Sequence, residues 1–96
     1  MLSNTNPGGG FGGFGADVLE RVLYITGVEI KELMKAKRGP RANPARRFGV
    51  WALRNATQMT QTEIGEILGM STSQVANVLR RINVKDEPIR TWIAKW

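Results

Sequence analysis

Apolar residues along this chain recur at steps of three and four and never in strand-like alternation, so the pattern predicts helices and no sheet. Val18, Leu19, Val22, Leu23 and Ile25 mark a first helix, which Asp17 can cap and Gly27 can close in a left-handed turn. A short second helix is predicted from Glu29 to about Ala36, with Ile30, Leu33 and Met34 on one face. Asn43 and Pro44 announce a third, because proline's fixed φ and missing N–H suit the first helical position. It runs to about Ala56, with Phe48, Trp51, Ala52 and Ala56 toward the core, Leu53 at the edge and Gly49 permitting a close helix crossing. Near the C-terminus Asp86 can cap a last helix, Glu87 to Trp96, whose Ile89, Trp92, Ile93 and Trp96 form one stripe.

Between these lies the stretch around which the chain is organised, Gln61 to Arg80. Two helices that approach closely need a small residue at the crossing, and Gly65 supplies it; a sharp turn four residues later suits Gly69. Ile64, Leu68, Met70, Val75 and Val78 form an apolar set that can lock the pair. Thr60 with Glu63, and Ser71 with Gln74, each have the spacing of a reciprocal capping box. The expected fold is therefore all-α: a bundle of about six short helices with a helix-turn-helix at 61–80. Any two packed helices with a glycine turn share part of this pattern. The second helix adds a more specific signal, because Ser71, Thr72, Ser73 and Asn77 are short polar groups and Arg80 and Arg81 follow them. Short polar side chains at a helix start can reach base edges, and arginines further along can hold phosphates.

The first fifteen residues, MLSNTNPGGGFGGFG, carry too few bulky apolar groups to offset the entropy of ordering them, and a flexible tail or linker is expected there. Gly8, Gly10 and Gly13 formally spell a dinucleotide fingerprint, but no strand precedes them, and the lysine and hydroxyl of a P-loop are missing. Residues 16–96 are left as one small helical domain.

Composition narrows the chemistry. With no cysteine and no histidine, the chain has no disulfide, thiol nucleophile, cysteine metal site or imidazole base. No metal, cofactor or small-molecule substrate is expected, and neighbouring acids such as Glu63 with Glu66, or Asp86 with Glu87, have the spacing of an ordinary solvated face. No apolar run reaches the roughly 20 residues of a membrane span, and no signal peptide is evident, so a cytoplasmic location without a membrane partner is expected. A net charge of +6 points to a polyanion, and its placement is more telling. Lys35, Lys37, Arg38, Arg41, Arg46 and Arg47 fall in one stretch free of acids, the first four around Gly39 and Pro40, which force an exposed loop. Arg46 and Arg47 stand in the first turns of their helix, against its dipole, a conflict that an approaching phosphate would remove.

The segment ITGVEIKELM, the loop KAKRGPRA, the helix start NPARRFGVWALR and TEIGEILG before the turn together resemble the C-terminal DNA-binding domain of the bacterial replication initiator DnaA, a Trp-repressor-like helical domain. Similar domains look to be appended to bacterial transposases. The resemblance covers about Val18 to Ile82. It implies that the basic loop, through Arg38 and Arg41, enters a minor groove while Ser71 to Asn77 read the major groove. The initiators' glycine-arginine-aspartate-histidine-threonine-threonine-valine signature is replaced here by Gly69-Met-Ser-Thr-Ser-Gln-Val75, so their target sequence does not transfer.

The expectation is a sequence-specific binder of double-stranded DNA, not an enzyme. Ser71, Thr72, Ser73, Gln74 and Asn77 would face base edges, with Gln74 and Asn77 suited to adenine and the cap competing for Gln74. Lys35, Lys37, Arg38, Arg41, Arg46, Arg47, Arg80 and Arg81 would meet phosphates or the minor groove. The rival is a protein-interaction or homodimerising module that uses Ile89, Trp92, Ile93 and Trp96 as its face, against the simpler expectation that this stripe completes the core.

Overall fold

The computed structural model describes residues 14–35 and 43–96, and among them it contains helices and no strand. Residues 1–13 of the tail expected at 1–15, and Lys37, Arg38 and Arg41 of the basic loop, lie outside the described residues, while Phe14 and Gly15 belong to the first helix and not to the tail. In chain order the elements are α1 (Phe14–Thr26), α2 (Ile30–Leu33), α3 (Pro44–Ala56), α4 (Gln61–Leu68), α5 (Thr72–Arg81) and α6 (Ile89–Lys95).

Helix α3 is the axis of the bundle, since every other helix packs against it. Its Ala45, Phe48, Val50, Ala52 and Leu53 are all buried, so it has no single apolar face. This corrects two sequence expectations: Leu53 lies in the core and not at its edge, and Ala56 is exposed. A one-stripe reading undercounts the contacts of a helix that is surrounded. Gly49 is buried, but a Cβ there would meet Leu33 Cδ1 and Leu68 Cδ1 at 3.7 and 3.9 Å, an ordinary contact, so the crossing does not depend on glycine.

Helix α1 begins at Phe14, three residues before Asp17, which therefore lies in the first turn and does not cap it. Gly27 ends the helix at φ +74, and its N–H meets Leu23 O at 2.8 Å, the left-handed closure expected of it. Helix α2 is a single turn and shorter than its apolar spacing suggested. Helix α6 starts at Ile89, two residues later than expected, with Pro88 rather than Asp86 at its N-cap and no side-chain cap there; the acid that meets its first turn is Glu87, whose Oε1 accepts from the backbone N and the hydroxyl of Thr91 at 3.1 and 2.6 Å.

The aromatic stripe of α6 turns inward. Ile89 is buried, and Trp92 and Trp96 lie with ring centroids 5.6 and 6.0 Å from Phe48. Trp96 also meets Trp51 edge-on at 6.3 Å, while the guanidinium of Arg21 in α1 covers its ring at 4.6 Å. Ile93 is half-buried against the same core.

Candidate nucleic-acid interface

Helices α4 and α5 are joined by a turn of three residues, Gly69 to Ser71, and both carry complete capping boxes. Thr60 Oγ1 accepts from Glu63 N at 3.1 Å while Glu63 Oε1 accepts from Thr60 N at 2.8 Å. Ser71 and Gln74 repeat the arrangement at 3.1 and 2.8 Å. Gly69 closes α4 at φ 68, ψ 37, and Met70 N donates to Gly65 O at 2.8 Å. The Gly65 carbonyl receives the turn's N–H groups, as that of any residue could, but glycine itself is required there because a Cβ would stand 2.3 Å from Met70 O. Ile64, Leu68 and Val75 of the expected locking set are fully buried; Met70 and Val78 are half-buried, and Ile67 joins the core.

The polar face of α5 is exposed from Ser71 to Gln74 and again at Asn77, Arg80 and Arg81. Several of these groups already have partners. Gln74 spends its Oε1 on the cap and has its side-chain amide nitrogen to offer. Thr72 shares a 3.0 Å hydroxyl contact with Thr62 of α4, which ties the two helix starts together. Arg80 Nη2 donates to Asn77 Oδ1, so the amide expected to read adenine is held by its neighbour one turn on. Ser73 and Arg81 are exposed.

Arg46 departs from its expected role. Its guanidinium does not reach outward to a phosphate; it is only 9% exposed, and its Nη2 donates to Leu68 O at 2.7 Å and Gly69 O at 3.0 Å. Burial lowers its pKa from the ordinary value. The dipole conflict noticed in the sequence is thus relieved by the carbonyl end of α4 rather than by a ligand. Its Nε, also buried, has no hydrogen-bond partner among the described residues. Arg47, beside it, is half-buried.

Asn43 was legible as a cap, and it does more than cap. Its Oδ1 accepts from Arg46 N at 3.2 Å, while its Nδ2 reaches back to the carbonyls of Glu32, Leu33 and Lys35 at 2.9, 3.4 and 2.6 Å. The two roots of the basic segment, Lys35 and Asn43, are therefore clipped together. Lys35 itself is exposed and pairs weakly with Glu32 at 3.9 Å. This root adjoins the α4–α5 turn: Met34 Cε and Arg46 Nη2 both lie 3.8 Å from where a Cβ on Gly69 would stand.

No three or more Asp, Glu, His or Cys among the described residues are grouped so as to hold a metal ion, and no described helix is long and apolar enough to cross a membrane. No family model, curated protein or solved structure matches the chain.

Proposed function

We propose that this domain binds double-stranded DNA, with α4, the Gly69 turn and α5 acting as a helix-turn-helix and α5 entering the major groove. The observation that carries the reading is a juxtaposition. The exposed polar start of α5 and the root of the most basic stretch of the sequence meet at one turn, through Met34, Arg46 and Gly69. A helix that presents short polar groups first and arginines last, beside a second cationic element, has the layout of base contacts flanked by phosphate contacts.

Ser73, Thr72, the amide nitrogen of Gln74 and Asn77 are the base-facing groups. Arg80, Arg81, Arg47 and Lys35 supply cations from the described residues, and Lys37, Arg38 and Arg41 add theirs from the loop. This layout, together with the resemblance to the DnaA C-terminal domain, favours a DNA-binding module of an initiator-like, transposase-associated or regulatory protein acting in the cytoplasm. The interaction-module rival would use the α6 stripe as its face; it has less support, since Ile89 is buried, Trp92 packs on Phe48, and Trp96 packs on Phe48 and Trp51.

The test is an amide chemical-shift titration with a mixed-sequence duplex at two salt concentrations. Residues 35–47 and 71–81 should shift together and the response should fade with salt; about six phosphate contacts would cost roughly three orders of magnitude in affinity between low and moderate salt. A spectrum that does not move at low salt overturns the reading.

A further inference from the structure

Two polar residues have buried side chains among the described residues, Asn43 and Arg46 at 5 and 9% exposure, and the Asn43 Oδ1 accepts from the backbone N–H of Arg46. Each also reaches a separate set of backbone carbonyls. Asn43 Nδ2 faces Glu32, Leu33 and Lys35, where the chain leaves for the basic segment. Arg46 Nη2 faces Leu68 and Gly69, where the chain turns into α5. The first turn of α3 therefore acts as a strut: one side chain runs from it to the root of the cationic segment, another runs to the root of the helix that presents the polar face, and the helix backbone joins the two.

We propose that Asn43 and Arg46 are positioning residues that set the spacing between the two groups of DNA contacts, and so determine sequence selectivity without touching DNA. The proposal rests on the duplex-binding reading above. An apolar side chain could fill the space around Arg46, but packing is not directional. A guanidinium nitrogen shared between the carbonyls on either side of the Gly69 peptide fixes the direction of the turn, and Gly69 at φ 68 has no side chain of its own to do so. The three carbonyls gathered by Asn43 likewise fix where the segment from Lys35 returns to the fold. Base readout depends on both elements arriving in register, because each contact is made over a short and directional distance.

Arg46→Lys is the informative variant, since it keeps the charge and loses the planar fork. A short duplex recovered by selection from a randomised library serves as the specific probe, and a scrambled duplex of the same composition as the control. Affinities for both are measured across salt, with melting curves, for the wild type, Arg46→Lys and Arg81→Ala. For Arg46→Lys the ratio of specific to scrambled affinity should fall by about tenfold or more, the scale of one lost base contact, while the salt slope stays that of the wild type. Arg81→Ala should do the reverse, lowering the slope by about 0.9 for its phosphate and sparing the ratio.

Asn43→Ser keeps an oxygen that can cap Arg46 N and removes the Nδ2 donor without setting a carboxylate against the three carbonyls, so it should also lose selectivity, which guards against a lysine variant too unstable to assay. A slope that falls with Arg46→Lys returns that residue to the phosphate contacts and overturns the proposal. So does a lowered melting temperature with the ratio intact in both variants. A wild type that holds neither duplex at low salt sinks the DNA-binding reading itself, and the strut's role with it.

Discussion

Two neighbourhoods of α3, one helical turn apart, are held by different physics. At its start, Asn43 and Arg46 fix the chain through single directed bonds to carbonyls of α2 and α4. From Phe48 onward the same helix is held by area: Phe48, Trp51, Trp92 and Trp96 form an aromatic cluster with centroid separations of 5.6 to 6.3 Å, roofed by Arg21. Apolar burial is large and tolerant of small displacements, whereas a hydrogen bond is modest in net energy and lost within a fraction of an ångström. The aromatic end should therefore carry stability, and the polar end should carry the geometry of the candidate interface.

Removing Phe48 strikes the aromatic end hardest. Its ring is fully buried and meets the rings of three tryptophans, Trp51, Trp92 and Trp96, so Phe48→Ala should lower unfolding free energy by about 4 kcal/mol in urea denaturation. Well below its melting temperature the variant should still discriminate between duplexes as the wild type does. Lost selectivity in a folded Phe48→Ala protein would erase the distinction between the two neighbourhoods.

Glycine substitutions sharpen it further, because two glycines that look alike in sequence differ in what surrounds them. Gly65→Ala drives a methyl group to 2.3 Å from Met70 O, a backbone atom inside the turn, and the turn must shift. The strain should cost about 3 kcal/mol, offset in part by about 1 kcal/mol of improved helix propensity. Gly49→Ala meets only side-chain methyls at 3.7 Å and beyond, so the propensity gain of up to about 1 kcal/mol should survive. Chemical denaturation of the pair should show opposite signs; a destabilised Gly49→Ala, or a neutral Gly65→Ala, would mean that the packing around the turn has been misread.

What the sequence made legible follows the same division. Helix periodicity, both capping boxes and the need for glycine at 65 and 69 are local rules, and they place α3, α4 and α5 at the expected residues. The partners of Arg46 are 22 and 23 residues away, and no local rule points to them. The sequence did flag Arg46 as a cation at the wrong end of its own helix; only the fold reveals that the carbonyl end of α4 stands opposite. Leu53 and Val50 were under-read for a related reason, since a surrounded helix buries residues off its main stripe. At α6 the local rule held in kind but slipped in register: an acid does serve the helix start, and it is Glu87.

That acid gives the smallest expected effect and a clean sign. Glu87 has its pKa lowered below the ordinary 4.5, first by the Thr91 hydroxyl that donates to it; desolvation opposes this, and the Thr91 N–H and the charge of Arg90, whose Nε lies 3.6 Å away, add lesser lowering. A carboxylate with a folded pKa below its unfolded one stabilises the fold above the unfolded value and loses that contribution as pH falls through the folded one. Glu87→Gln keeps an oxygen for Thr91 and removes only the charge. The wild type should therefore melt slightly higher than Glu87→Gln at neutral pH, with the gap closing as the solution is acidified below about 4.5. Because the group is exposed, added salt should narrow the gap as well, through screening of Arg90. A gap that stays constant from neutral to acid pH would mean that the charge of Glu87 contributes nothing and that its oxygen serves Thr91 only as a neutral acceptor.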